Sequence, residues 1–218
     1  MDRLTDKIKK LSLVGIKLEL THPLDRLVSV KIEDIASGIQ RLAIPDGVQR
    51  ISIGDSYTKR GLDRPKIKEI IFPDSLERIE TEAFAYFTEL KQINLPRNLK
   101  VLETGAFFNC KKLEEVKLND KLEKIGGLCF EGCNLRGKLK LPKSLIELGR
   151  RALFETEIEE VDFSECTNLK VIGDLSFGLC YKLKHIEKFP MKVMKDCGAM
   201  GVLVGCEALE DEELQSYT

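Results

Sequence analysis

One spacing limits what this chain can fold into more than any other feature. Leu76, Leu99, Leu122, Leu145, Leu169 and Val193 follow one another at intervals of 23, 23, 23, 24 and 24 residues. Three positions after the first five stand Ile79, Leu102, Ile125, Leu148 and Ile172; five positions further on stand Phe84, Phe107, Phe130, Leu153 and Phe177. Self-similarity at a fixed period of this length is the mark of a stacked array. A unit of about two dozen residues buries too few apolar side chains to offset the entropy of ordering its own backbone, so each unit must lean on its neighbours.

Each unit reads in three parts. It opens with a short alternating segment: "IQRLAIP", "IKEIIFP", "LKQINLP", "LEEVKLN", "GKLKLP", "IEEVDF" and "LKHIEKFP", seven between Ile39 and Pro190. Period-2 alternation with β-branched residues and leucine on one side predicts a strand. Proline cannot donate a ladder hydrogen bond, so Pro45, Pro73, Pro96, Pro142 and Pro190 close these strands. Next, stretches such as "SLERI" and "NLKVL" lay down two more apolar side chains. Last, "TEAFAYF", "TGAFFNC" and "GLCFEGC" are too short for a full helix and predict one helical turn each. Successive strands are expected side by side in one parallel sheet over a continuous apolar core.

These residues carry a resemblance. The pattern LPxSLxxIGxxAFxxCxxLxxI is typical of the BspA-like leucine-rich repeat family. It is met at "LPRNLKVLETGAFFNCKKLEEV" and "LNDKLEKIGGLCFEGC", and more loosely at "CTNLKVIGDLSFGLCYKLKHI". The chain resembles that family over about residues 36–209. The resemblance implies an α/β fold, a curved right-handed solenoid with the parallel sheet on its concave face and short helical turns on its convex face. It also implies that the usual role is binding other proteins. Three departures stand out: the insertion "GDSYTKRGLDR" after Ile53, Leu153-Phe154 without a cysteine, and "DCGAMGVLVGC" in place of the last "AF" turn.

An open-ended array exposes core and strand edges, so caps are expected. Leu4, Ile8 and Leu11 lie at helical spacing; Ile16, Leu18 and Leu20 alternate, as do Val28, Val30 and Ile32, around a "THPLD" turn. A helix and hairpin over residues 1–38 would form an N-terminal cap, 39–209 the solenoid and 210–218 a short acidic tail. The formal net charge of -1 offers neither the basic face of a nucleic-acid binder nor a polybasic membrane segment. No apolar window spans a bilayer, and "MDRLTDKIKKLSLVGIKLEL" lacks the form of a secretory signal. With seven cysteines and no signal, a cytoplasmic location is expected, or a secreted or surface one if a signal has been removed.

Few constellations promise chemistry. Cys110, Cys133 and Cys180 recur at one repeat position, with Cys206 joining after a two-residue insertion. Small buried thiols are the expectation. A Cys110–Cys133 disulfide and a metal site shared with Cys129 are the alternatives. His22 and His185 lie far apart, and Glu114-Glu115 and Glu159-Glu160 diverge as strand neighbours do. Gly126, Gly127 and Gly149 are assigned to turns needing positive φ. No catalytic residue, cofactor or metal is expected.

What remains is the concave sheet. In each strand, the residues flanking the central core position should point outward. These are Arg41 and Ala43, Glu69 and Ile71, Gln92 and Asn94, Glu115 and Lys117, Lys138 and Lys140, Glu160 and Asp162, His185 and Glu187. They give a face with an apolar start, a lysine-rich middle and an acidic end, matched to a protein partner by charge. Tyr57, Lys59 and Arg60 in the insertion are a second candidate. The expected protein is a monomeric, non-catalytic scaffold. The rival readings are an adhesin fragment and an enzyme with an unrecognised site.

Overall fold

The computed structural model of the chain describes residues 17–20, 28–33, 35, 38–53, 66–193 and 201–209. Its fifteen strands are β1 (Lys17–Leu20), β2 (Val28–Glu33), β3 (Arg41–Ala43), β4 (Val48–Ile53), β5 (Glu69–Ile71), β6 (Arg78–Ile79), β7 (Gln92–Asn94), β8 (Val101–Leu102), β9 (Glu115–Lys117), β10 (Lys124–Ile125), β11 (Arg136–Lys140), β12 (Glu147–Leu148), β13 (Glu157–Asp162), β14 (Val171–Ile172) and β15 (His185–Glu187). β1 pairs antiparallel with β2, Lys17 opposite Glu33, and β2 then runs parallel to β4. The predicted cap helix at Leu4–Leu11, the Tyr57–Arg60 insertion and the acidic tail lie outside the described residues.

Each repeat contributes two strands where one was expected. The alternating segments become β3, β5, β7, β9, β11, β13 and β15. The "SLERI"-type segments become β4, β6, β8, β10, β12 and β14, which join β1 and β2 in an eight-stranded sheet ordered β1-β2-β4-β6-β8-β10-β12-β14. Between the two sheets runs a single core. Leu76, Leu99, Leu122 and Leu145 are wholly buried, as are Ile79, Leu102, Ile125 and Leu148. Phe84, Phe107 and Phe130 stack ring on ring at 5.5 and 5.6 Å, tilted by 14° and 2°. Repeating one side chain at one place in every rung turns it into a column, and offset aromatic stacking then adds to simple burial.

The predicted helical turns are absent. Residues 81–86, 104–109 and 127–132 form turns, and the third side of the solenoid is a ladder built from them. Glu82, Phe84 and Tyr86 donate their backbone N–H groups to Thr104, Ala106 and Phe108 of the next rung, at 2.7–2.9 Å. Gly105, Phe107 and Asn109 do the same to Gly127, Cys129 and Glu131. The alternate donors turn back on their own rung: Ala83 to Glu80 O, Ala85 to Glu82 O. Facing successive N–H groups in different directions requires left-handed residues, found at Glu82 (φ 54°), Tyr86 (62°), Gly105 (64°), Asn109 (55°), Leu128 (58°) and Gly132 (66°). A left-handed residue other than glycine costs roughly 1–2 kcal/mol, offset by hydrogen bonds to a neighbour that a helical turn would not make.

Gly126 and Gly149 are needed for a different reason than positive φ. A Cβ on Gly149 would fall 2.4 Å from Gly127 N and 2.6 Å from Gly126 C; on Gly126, 2.6 Å from Glu103 C. The rungs approach too closely there for any side chain, and Gly173 continues the row at 2.3 Å from Arg150 N.

Candidate functional site

The strands of the alternating segments, three residues long except for β11 (five) and β13 (six), place most side chains as the alternation requires, with Val116 half-buried at the core position of β9. Leu42, Ile70, Ile93, Leu139, Val161 and Ile186 point into the core. Arg41, Ala43, Glu69, Ile71, Gln92, Asn94, Glu115, Lys117, Lys138, Lys140 and His185 are exposed. Glu160 and Glu187, also expected to point outward, are half-buried, and Asp162 is only 7% exposed. Its carboxylate turns back to accept the Ser164 N–H at 2.8 Å. Bonds from the Ser164 hydroxyl and then its N–H hold that carboxyl below the usual carboxylate range. Asp162 therefore serves the turn after β13 more than the surface.

The charges of this face are largely spent on one another. Arg41 Nε meets Glu69 Oε2 at 3.0 Å. Lys138 Nζ lies 3.5 Å from Glu187 and 3.8 Å from Asp162. Lys140 Nζ sits 2.7 Å from Glu165, a residue the sequence reading missed, and that bond raises the Lys140 ammonium above its ordinary value. The lysine-rich middle and the acidic end are thus one cross-linked patch rather than two opposed ones. Gln92, Asn94, Glu115 and Lys117 differ: none makes a side-chain hydrogen bond or ion pair among the described residues. The tempting pairs are split as expected, Glu114 going to Arg136 at 3.3 Å and Glu159 to Lys184 at 3.0 Å.

The sheet of three-residue strands is interrupted. β3 pairs with β5, β7 with β9, and β11 with β13 and β15, but β5 does not pair with β7, nor β9 with β11. At the first break lies a recess of about 190 Å³ lined by Glu69, Ile70, Ile71, Phe72, Gln92 and Asn94. Phe72, half-buried, packs edge-on against Phe84 at 5.5 Å. Alternation gave no reason to single out Phe72, because it follows the strand.

The eight-stranded sheet carries a row of ion pairs on its middle strands, and Val171 of β14 stands exposed beyond them. Arg78 pairs with Glu103, Glu103 with Lys124 at 3.7 Å, and Lys124 with Glu147 at 3.5 Å, an unbroken chain of ion pairs across four rungs.

The thiols are structural. Cys110, Cys129, Cys133, Cys166, Cys180 and Cys206 are buried and free. Four of them donate S–H to carbonyls of the preceding rung: Cys110 to Phe84, Cys133 to Phe107, Cys180 to Leu153 and Cys206 to Phe177, at 3.0–3.2 Å. In the repeat without a cysteine, Thr156 takes the place, its hydroxyl 3.0 Å from Leu153 O and 3.3 Å from Cys180 Sγ. Burial pushes the Cys110 and Cys129 thiols well up and the Cys166 thiol to about 11. A thiol held neutral in this way is a poor nucleophile. Among the described residues, no three His, Cys, Asp or Glu side chains are grouped to hold a metal, and no helix is long and apolar enough to cross a membrane.

The family model described as the BspA type leucine rich repeat region matches residues 60–193 in six copies. The chain belongs to this family. The aromatic column and the thiol column fall on the Phe and Cys positions of the repeat pattern quoted above. A solved leucine-rich repeat protein shares the fold. It comes from Bacteroides ovatus and is 22% identical, with a TM-score of 0.54 over 78% of this chain and 47% of its own, so the chain spans about half its length. One from T. pallidum is 20% identical, with a TM-score of 0.49 over 93% and 91% of the two chains. The pneumococcal vaccine antigen PcpA is 20% identical, with a TM-score of 0.46 over 79% and 68%. No curated protein matches the chain.

Proposed function

We propose that this BspA-type chain is a non-catalytic scaffold that binds another protein through the face of its three-residue strands. The observation that carries the reading is the contrast between the two sheets. From β6 to β12 the eight-stranded sheet pairs Arg78, Glu103, Lys124 and Glu147 with one another, whereas Gln92, Asn94, Glu115 and Lys117 stand exposed with no partner among the described residues. Side chains that hold nothing in the fold break no intramolecular bond when they turn toward a ligand, so only their ordering and desolvation oppose binding. The reading assumes a reducing compartment, because all six described thiols are buried and free.

Lys117→Glu is the discriminating change, since Lys117 can be reversed without breaking an ion pair. Lys140→Glu, by contrast, would set a carboxylate against Glu165. In a pull-down from native extract, followed by titration of the purified partner, Lys117→Glu is expected to weaken binding about tenfold, a loss of about 1.4 kcal/mol. The melting temperature should stay within a few degrees of wild type. Unchanged affinity for a validated partner refutes the use of this face.

A further inference from the structure

We infer that the break between β5 and β7 is a subsite for an extended, uncharged peptide segment carrying one medium-sized apolar side chain. This rests on the scaffold reading and assigns that face its anchoring point.

Three observations converge on the break. First, size decides the class of occupant. Ligand pockets for cofactors and drug-sized molecules run to about 300–1,000 Å³, and the recess holds about 190 Å³. A cavity of about 150 Å³ takes a benzene molecule, so this one takes a single isobutyl or phenyl group. Ile71, 38% exposed, and the half-buried Phe72 supply the apolar wall such a group would cover.

Second, the opposite wall is made of carboxamides. Gln92 and Asn94 project from the same face of β7 and have no hydrogen-bond partner among the described residues. Residues two apart on a strand repeat about every 6.8 Å. An extended peptide offers an outward N–H and C=O pair at the same interval along one edge. Each carboxamide holds both a donor and an acceptor, so two of them in this register can each engage one main-chain pair. This reads the backbone rather than a sequence, while the recess reads one side chain, a division seen whenever strands recognise strands.

Third, the lining itself offers no free charge, Glu115 and Lys117, unpaired among the described residues, standing one strand away beside Gln92 and Asn94. The one charged lining residue, Glu69, is already bonded to Arg41 at 3.0 Å. A charged side chain entering beside Ile71 and Phe72 would lose its water and find no free counter-charge in the lining.

The test uses the full chain and three blocked peptides, acetyl-Ser-Thr-X-Thr-Ser-amide with X as Leu, Ala or Lys, titrated while the side-chain amide resonances are followed by NMR. The Leu peptide is expected to shift the Gln92 and Asn94 NH2 signals saturably. The Ala and Lys peptides should bind about tenfold more weakly or worse. The backbone amides of Ile71 and Phe72, which line the same recess, should shift with the Leu peptide as well; the doubly substituted Q92A/N94A protein, altered only at exposed positions, should fold normally and lose that shift. Absence of shifts at both carboxamides, or equal response to Leu and Lys, overturns the subsite. The scaffold reading is judged separately: a partner weakened by Lys117→Glu but indifferent to Q92A/N94A leaves the face standing and removes the anchor.

Discussion

Phe107 and Phe108 are neighbours of the same size, and the solenoid gives them opposite fates. Phe107 is wholly buried, its ring sandwiched between Phe84 and Phe130 at 5.5 and 5.6 Å. Phe108 is half-buried on the outside of the turn ladder, and among the described residues its ring contact is Tyr86, edge-on at 5.3 Å. Truncating a buried phenylalanine to alanine costs about 3–5 kcal/mol. Phe107→Ala belongs at the upper end, because backbone hydrogen bonds along the turn ladder and the eight-stranded sheet fix the rungs on both sides of the ring, with β7–β9 pairing as a third tie to the Phe130 rung, and limit collapse into the void. Losing one edge-on pair costs about 0.5–1.5 kcal/mol, which bounds Phe108→Ala. At roughly 2–4 °C per kcal/mol for a chain of this size, Phe107→Ala should lower the melting temperature by roughly 6–20 °C and Phe108→Ala by a few degrees. Because each rung touches only its neighbours, the damage should also be local. Amide exchange should quicken at Phe84, Phe107 and Phe130, whose N–H groups bond Ala106, Cys129 and Ala152, before it quickens along β13 and β15. If Phe108→Ala costs as much as Phe107→Ala, the rungs do not face as described.

Two further changes test the packing. Gly149→Ala should cost about 1–3 kcal/mol, at the high end for overpacking, because the new methyl meets backbone at 2.4 Å; Gly105→Ala, with φ at 64° but only the flexible Glu82 side chain at 3.1 Å, should cost less. Equal losses in denaturant melts would mean that conformation rather than rung spacing selects glycine. Glu131 lies 9% exposed beside Arg151 at 2.9 Å, and burial raises its carboxyl more than Arg151 lowers it. A carboxyl raised in the folded state stabilises when protonated, and that stability is lost as pH rises through the folded value. Glu131→Gln should therefore melt no lower than wild type at pH 7, and wild type should gain on it as pH falls into the carboxylate range. A gap that moves the other way in parallel melting curves would show that the ion pair outweighs the burial.

The columns were legible because each is one residue type demanded at one place: Leu76, Ile79 and Phe84 recur where the period puts them, and the core follows. The facing of Gln92 and Asn94 was legible for the same reason, since alternation about Ile93 leaves no other direction. What escaped depends on distances between rungs, which no single repeat encodes. The left-handed turns at Glu82 and Leu128 exist because a neighbour's carbonyl is within reach. Gly149 is glycine because Gly127 N is too close, and Lys140 is engaged because Glu165 arrives from the next repeat. Thr156 lay in view, 23 residues after Cys133, but its hydroxyl turns to Leu153 O of its own rung, the carbonyl that Cys180 also uses, rather than to the preceding rung as the thiols do. The interruptions of the outer sheet belong with these. A strand such as Glu69–Ile71 is complete by its own pattern, and only its failure to pair with Gln92–Asn94 opens the recess. In a repeat protein, then, the period writes the core, and departures in the fit between successive repeats create the features a partner can grip.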